Sequence, residues 1–180
     1  GKSTLTQLLP RFYDVTSGNV LIDHVNVTDW PLDNLRNQIA FVPQKSMLLR
    51  GTIRENLQWG NTEASYDDCW EALKIAQGAE FVRQLPQQLD TLIVEGGKNF
   101  SGGQVQRLAI ARALMRKPNI LVLDDSLSAL DYQTDYLLRQ ELKTLPMTVF
   151  LISQRIASIK EADQILVLEK GRLTAQCKHE

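Results

Sequence analysis

The run Phe100–Asp131, FSGGQVQRLAIARALMRKPNILVLDDSLSALD, carries the residue types that could do chemistry on a phosphate. Ser101 is a good helix N-cap, and Gly102 and Gly103 behind it leave first-turn N–H groups open to an approaching anion. Asp124 and Asp125, starting 23 residues beyond Ser101, stand side by side after the apolar run Ile120–Leu123. An anion cradle paired with a metal-holding carboxylate suggests nucleotide chemistry. The N-terminus adds to this. Gly1-Lys2-Ser3-Thr4 reads as the second half of a phosphate-binding loop, GxxxxGK[ST], in which the lysine reaches the terminal phosphates and the Ser/Thr hydroxyl sits on Mg2+.

Those side chains need elements to hold them. A short helix with Leu5, Leu8 and Leu9 follows the loop and stops at Pro10. Residues 18–27 alternate well enough for a β-hairpin, with His24 as a solvated turn residue. Pro31 starts a short helix running through Leu35, and Ile39–Val42 is a strand that presents Gln44. Helices with polar faces are expected at Tyr66–Ala76 and Ala79–Leu85, followed by one that opens at Ser101 and ends before Pro118. Trp59 and Trp70 are expected in the core of this helical part. Strand Ile120–Leu123, a helix across Gln133–Leu142, and strands Thr148–Ile152 and Ile165–Leu168 complete the pattern. Apolar strands alternating with helices predict an α/β fold, its mostly parallel sheet carrying the site at the strands' C-terminal edge.

In this order of motifs the chain resembles the nucleotide-binding domain of an ABC transporter over nearly all of its 180 residues. The signature motif is Phe100-Ser101-Gly102-Gly103-Gln104, with phenylalanine where leucine is more usual. The Walker B strand is Ile120–Asp125, the D-loop is Ser128-Ala129-Leu130-Asp131, and the Q-loop glutamine is Gln44 in Phe41-Val42-Pro43-Gln44. Gly51-Thr52-Ile53-Arg54-Glu55-Asn56-Leu57 is similar to a segment that ABC exporters carry after the Q-loop. Glu95-Gly96-Gly97 is similar to their X-loop, with Val94 where glycine is usual.

The resemblance implies a P-loop NTPase: a RecA-like ATP-binding core over 1–45 and 116–180, with an inserted helical subdomain over 46–115. It also implies a chain truncated at both ends, since the family supplies strands and an adenine-stacking aromatic before Gly1 and a helix after the tail at His179–Glu180. The implied cofactors are ATP and Mg2+. Gly1, Lys2, Ser3 and Thr4 would hold the phosphates, while Ser3, Gln44 and Asp124 would hold the metal, Asp124 through water. Ser101, Gly102, Gly103, Gln104 and Asp131 would contact nucleotide. ABC domains work as head-to-tail pairs, so the signature serves the partner's ATP, and Gln44 couples the site to a transmembrane domain, here fused upstream. The location implied is the cytoplasmic face of the cell membrane.

The implied catalytic residues are Asp125, Gln154 and Gln44, and two of them depart from the family's active pattern. Asp125 stands where the family has a glutamate that polarises the attacking water. Gln154 stands where it has a histidine that touches the γ-phosphate, and it can donate a hydrogen bond but carries no charge. A misplaced base costs on the order of 10² in rate, which predicts a slow own site beside an intact signature. That combination resembles one half of a heterodimeric exporter. The alternatives are a domain that only clamps ATP, a soluble ABC ATPase acting on ribosomes or DNA, and an inert fragment.

Bulk properties narrow these. Lys and Arg number 20 against 21 Asp and Glu, a net charge of −1, so no overall field draws the chain to nucleic acid or anionic lipid. No apolar run is long enough to span a bilayer. Cys69 and Cys177 lack metal-ligand spacing and read as ordinary thiols.

Overall fold

A computed structural model describes residues 1–177; the end of the tail, His179–Glu180, lies outside the described residues. The elements, in chain order, are α1 (Lys2–Thr6), β1 (Leu21–Ile22), β2 (Val25–Asn26), α2 (Leu32–Gln38), β3 (Ile39–Val42), β4 (Gly51–Thr52) and α3 (Ile53–Gln58). Then come α4 (Tyr66–Ile75), α5 (Ala79–Gln84), β5 (Leu92–Ile93) and α6 (Gly102–Leu114). The chain closes with β6 (Ile120–Asp124), α7 (Tyr132–Lys143), β7 (Thr148–Ile152), α8 (Ile156–Ile159), β8 (Ile165–Glu169) and β9 (Arg172–Cys177).

The sheet that matters for function has three parallel strands in the order β3-β6-β7. Its middle strand, β6, is buried along its whole length, and its side chains divide by the two-residue period of a strand. Leu121 and Leu123 join a core with Ala40, Val42, Leu57, Leu73 and Leu108. Ile120 and Val122 join a smaller core with Ile22, Val27, Leu35 and Ile39 on the opposite face. A strand covered on both faces has no use for polar alternation, hence the unbroken ILVL run. The larger core is continuous from the helices α3–α6 into the sheet.

The helix starts follow from short-range chemistry. Thr52 with Glu55, Ser65 with Asp68 and Ser101 with Gln104 each close a reciprocal capping box. Asp131 caps α7 by accepting from the Thr134 N–H at 2.9 Å and its hydroxyl at 2.7 Å. These two donors hold the Asp131 carboxyl below the ordinary aspartate range. Helix α6 ends ahead of Pro118, with Lys117 in the left-handed region at φ +48°.

The hairpin β1–β2 turns through Asp23 and His24 at φ +49° and +66°, and His24 is exposed, as expected of a turn residue. Two other expectations need correction. Trp59 is 70% exposed, not core. It caps the end of α3, and Gly60 beside it packs so tightly on the Arg112 backbone that the chain turns there with the indole outside. Trp70 does pack against the core, with Arg83 stacked 5.1 Å from its ring centre. Strand β8 pairs antiparallel with β9, an element absent from the sequence expectation, and does not join the parallel sheet. Cys69 is buried and Cys177 exposed, both free thiols; burial pushes the Cys69 thiol up.

Candidate functional site

Three strand ends build the site. In the parallel register Val42 lies beside Leu123, and Leu123 beside Leu151. Two residues beyond these levels stand Gln44 after β3 and Asp125 after β6, and three beyond Leu151 stands Gln154 after β7. The carboxyl edge of adjacent parallel strands thus gathers three side chains that lie far apart in sequence. Gln44 Nε2 donates to Asp125 Oδ2 at 3.0 Å, across 81 residues. Asp125 adopts φ +50°, a left-handed conformation that aspartate tolerates better than most residues, while its N–H donates to the Ile152 carbonyl at 2.9 Å. Gln154 is exposed at the neighbouring strand end.

Asp124, last in β6, is only 8% exposed, and it accepts from the Ser3 hydroxyl at 2.9 Å across 121 residues. Ser3 lies in the first turn of α1, between exposed Lys2 and Thr4, with Gly1 as the N-cap. The fold therefore brings together the proposed metal pair, Ser3 and Asp124, and joins Gln44 to Asp125.

The signature segment is built differently. The Gln104 N–H donates to Ser101 Oγ at 3.2 Å, and the Ser101 N–H donates to Gln104 Oε1 at 2.9 Å. Gly103 sits against the D-loop: a Cβ there would lie 3.1 Å from the Ala129 carbonyl oxygen, a close approach that favours glycine. No hydrogen bond among the described residues joins Ser101–Gln104 to Lys2, Ser3, Gln44, Asp124 or Asp125.

Several supporting residues escaped the sequence reading. Buried Gln106 accepts from the Ala129 N–H at 3.1 Å and so holds the D-loop on α6. Arg107, pushed below the ordinary arginine range by burial, donates to the Gln77 and Gly103 carbonyls. Buried Asn56 donates to the Leu49 and Thr52 carbonyls and accepts from the Leu49 N–H, pinning the chain that leaves Gln44. The sequence offered one signal for these: Asn56 and Gln106 are amides on otherwise core-facing helix positions, where a buried polar side chain must have partners.

The sequence pattern of the family described as ABC transporter matches residues 1–128, which takes in both the phosphate loop and the carboxylate pair. The chain belongs to the ABC transporter family. An uncharacterized ABC transporter ATP-binding protein of Bacillus subtilis, YfiB, is 49% identical over 179 residues, covering 99% of this chain and 31% of the relative. A putative multidrug export ATP-binding/permease protein of Staphylococcus aureus is 42% identical over 181 residues, again 99% of this chain and 31% of the relative. Among solved structures, a bacterial Atm1-family ABC exporter with ATP bound superposes with a TM-score of 0.95 at 40% identity, covering 99% of this chain and 32% of that one. The fold is therefore that of the ABC exporter nucleotide-binding domain, a P-loop NTPase. The chain spans about a third of the length of these relatives. Among the described residues no helix is long and apolar enough to cross a membrane.

Proposed function

We propose that this chain is the ATP-binding and ATP-hydrolysing domain of an ABC exporter, powering transport across a membrane, with a slow own site and a signature that serves a partner's ATP. The observation that carries the slow-site reading is the Gln44–Asp125 contact: the short carboxylate beside Walker B is engaged by the Q-loop amide at 3.0 Å. A carboxylate one methylene shorter than glutamate and already accepting from Gln44 is a poor base for water at the γ-phosphate. Gln154, at the next strand end, offers a neutral donor to that phosphate in place of a charged one.

Lys2 neutralises the terminal phosphates, and the N–H groups at the start of α1 face them. Ser3 and Asp124 form a pair of hard oxygen donors at 2.9 Å, a fit for Mg2+. Among the described residues no group of three or more His, Cys, Asp or Glu side chains could hold a metal by itself. When bound, Mg2+ supplies charge neutralisation at the phosphates; Ser3, Asp124 and Gln44 would hold it.

The partner is a second nucleotide-binding domain in head-to-tail arrangement, in a heterodimer. Ser101–Gln104 and Asp131 then face the partner's nucleotide, and the reciprocal Ser101–Gln104 cap supports the signature turn that does so. The chain divides as 1–45 with 116–180 for ATP binding and 46–115 for the helical subdomain, a transmembrane domain lies upstream, and the whole works at the cytoplasmic face. A clamp that binds ATP without meaningful turnover is the second reading, favoured by the same Gln44–Asp125 bond.

The test uses the full-length pair. Replacing the partner's catalytic glutamate should remove most turnover, and Asp125→Asn should change little. Loss of most ATPase activity in Asp125→Asn would overturn the slow-site reading. Single-turnover decay of ATP bound at this chain's site separates slow hydrolysis from a clamp.

A further inference from the structure

Arg155 follows Gln154 directly, and its side chain reaches the D-loop. Its Nη1 donates to the Leu130 carbonyl at 2.8 Å and its Nη2 to the Ser128 carbonyl at 2.6 Å, so one guanidinium grips the D-loop at two points. The guanidinium also stacks 5.3 Å from the centre of the Tyr132 ring and stands 3.9 Å from Asp135 Oδ2. Asp135 is almost fully buried and accepts from Arg139 Nε at 2.8 Å and from the Ser158 hydroxyl on α8. A buried carboxylate with this many donors is a fixed anchor, because removing one partner leaves charge without compensation. The opposite side of the D-loop is held to the signature helix through Ala129 N–H to Gln106 and through the close approach of Gly103.

These contacts form one continuous path: Gln154, Arg155, the Ser128–Leu130 backbone, Gln106 and Gly103, the signature turn. We infer that Arg155 is a positioning residue that ties the strand end bearing Gln154 to the D-loop and, through it, to the signature, so that nucleotide at one site sets the geometry presented to the other. The inference rests on the reading that Gln154 faces this chain's own ATP and the signature faces the partner's. Geometry makes arginine the right residue. Its planar fork reaches two carbonyls at once, which the single ammonium of lysine cannot reproduce. Because Arg155 and Gln154 are adjacent in the chain, a shift of Gln154 toward a phosphate drags the guanidinium, and with it two D-loop carbonyls.

The experiment compares wild type, Arg155→Ala and Arg155→Lys in the intact transporter with its partner, by amide hydrogen exchange and by steady-state ATPase across ATP concentrations. In Arg155→Ala, exchange across residues 126–131 should accelerate at least about fivefold without nucleotide. ATP should no longer alter exchange at residues 101–104. The kcat should fall about tenfold while KM stays within about twofold, since Arg155 touches no phosphate-loop residue. Arg155→Lys should recover only part of the kcat; it also serves if the alanine variant fails to fold. Wild-type exchange at 126–131 in both variants overturns the tie, whatever the activity. A matched change of kcat and KM, or an unchanged ATP response at 101–104, overturns the coupling. Failure of the wild-type transporter to bind ATP would sink the underlying function instead, and the nucleotide-free exchange comparison still decides the tie.

Discussion

The phosphate end and the signature end of this domain are held by different kinds of contact. At the phosphate end, Ser3 meets Asp124 across 121 residues and Gln44 meets Asp125 across 81, each through a single hydrogen bond between strand or helix ends. At the signature end, Ser101 and Gln104 lie three residues apart and satisfy each other within one helical turn. The first arrangement exists only when the parallel sheet is in register; the second is present wherever that turn forms. On the proposed function, chemistry that depends on placing a water and a phosphate to within about an ångström would sit on the fold-dependent side. The self-contained turn is a surface that can be offered to another molecule without rearranging its own supports.

The strongest way to break this contrast is to remove one member of the long-range pair. On the proposed reading, Asp124→Asn should slow single-turnover decay of ATP at this chain's own site on the order of 10²–10³-fold, because a charged group that would hold Mg2+ beside the phosphates is lost. Unchanged decay would show that the Ser3–Asp124 contact is structural. A smaller effect of opposite sign sharpens the slow-site reading. Asp125→Glu should raise the single-turnover rate at this chain's own site about tenfold by extending the carboxylate past Gln44. A rate that fails to rise would shift the blame to Gln154.

Smaller still, Ser101→Ala should cost about 1 kcal/mol through loss of the cap, lowering the melting temperature of the domain by about 2–4 °C in calorimetry. No change would mean Gln104 caps the turn by another route. The smallest effect is on acid stability. The carboxyls of Asp131, held by Thr134, and Asp68, held by Ser65, both lie below their ordinary value in the folded chain. A depressed folded value means stability that is fully present above the unfolded value of about 4 and lost as pH falls through the folded one. Thermal melts should therefore weaken progressively below about pH 4. Asp131→Asn, which keeps an N-cap acceptor, should flatten that dependence slightly.

What could be read in the sequence follows the same division. Capping boxes, the apolar strands Ile39–Val42 and Thr148–Ile152, and the placement of Gln44 and Asp124 at strand ends are encoded within a few residues of each position. Trp59 misled because an aromatic side chain suggests burial, while its orientation is set by Gly60 meeting the Arg112 backbone some fifty residues away. Strand β9 escaped because Arg172–Cys177 is exposed along its length, so the alternation of Leu173, Ala175 and Cys177 with polar residues serves no buried core. Gln106, Asn56 and Arg155 carry no local pattern that names their partners. Each contact is a consequence of tertiary packing, and the Arg155 grip on Ser128 and Leu130 spans 25 to 27 residues.

The close approach of Gly103 to Ala129 constrains how such a chain can drift. A side chain at position 103 would press on the carbonyl of residue 129, and that stretch of backbone is held by Gln106 on one side and by Arg155 on the other. Changes at these positions are therefore ordered: a mutation harmless after its neighbour has changed is damaging before it. A lineage can lose Gln154 in one step, since it stands exposed at a strand end, whereas a change at Asp125 also releases Gln44. The signature turn and the D-loop have to diverge together or stay as they are.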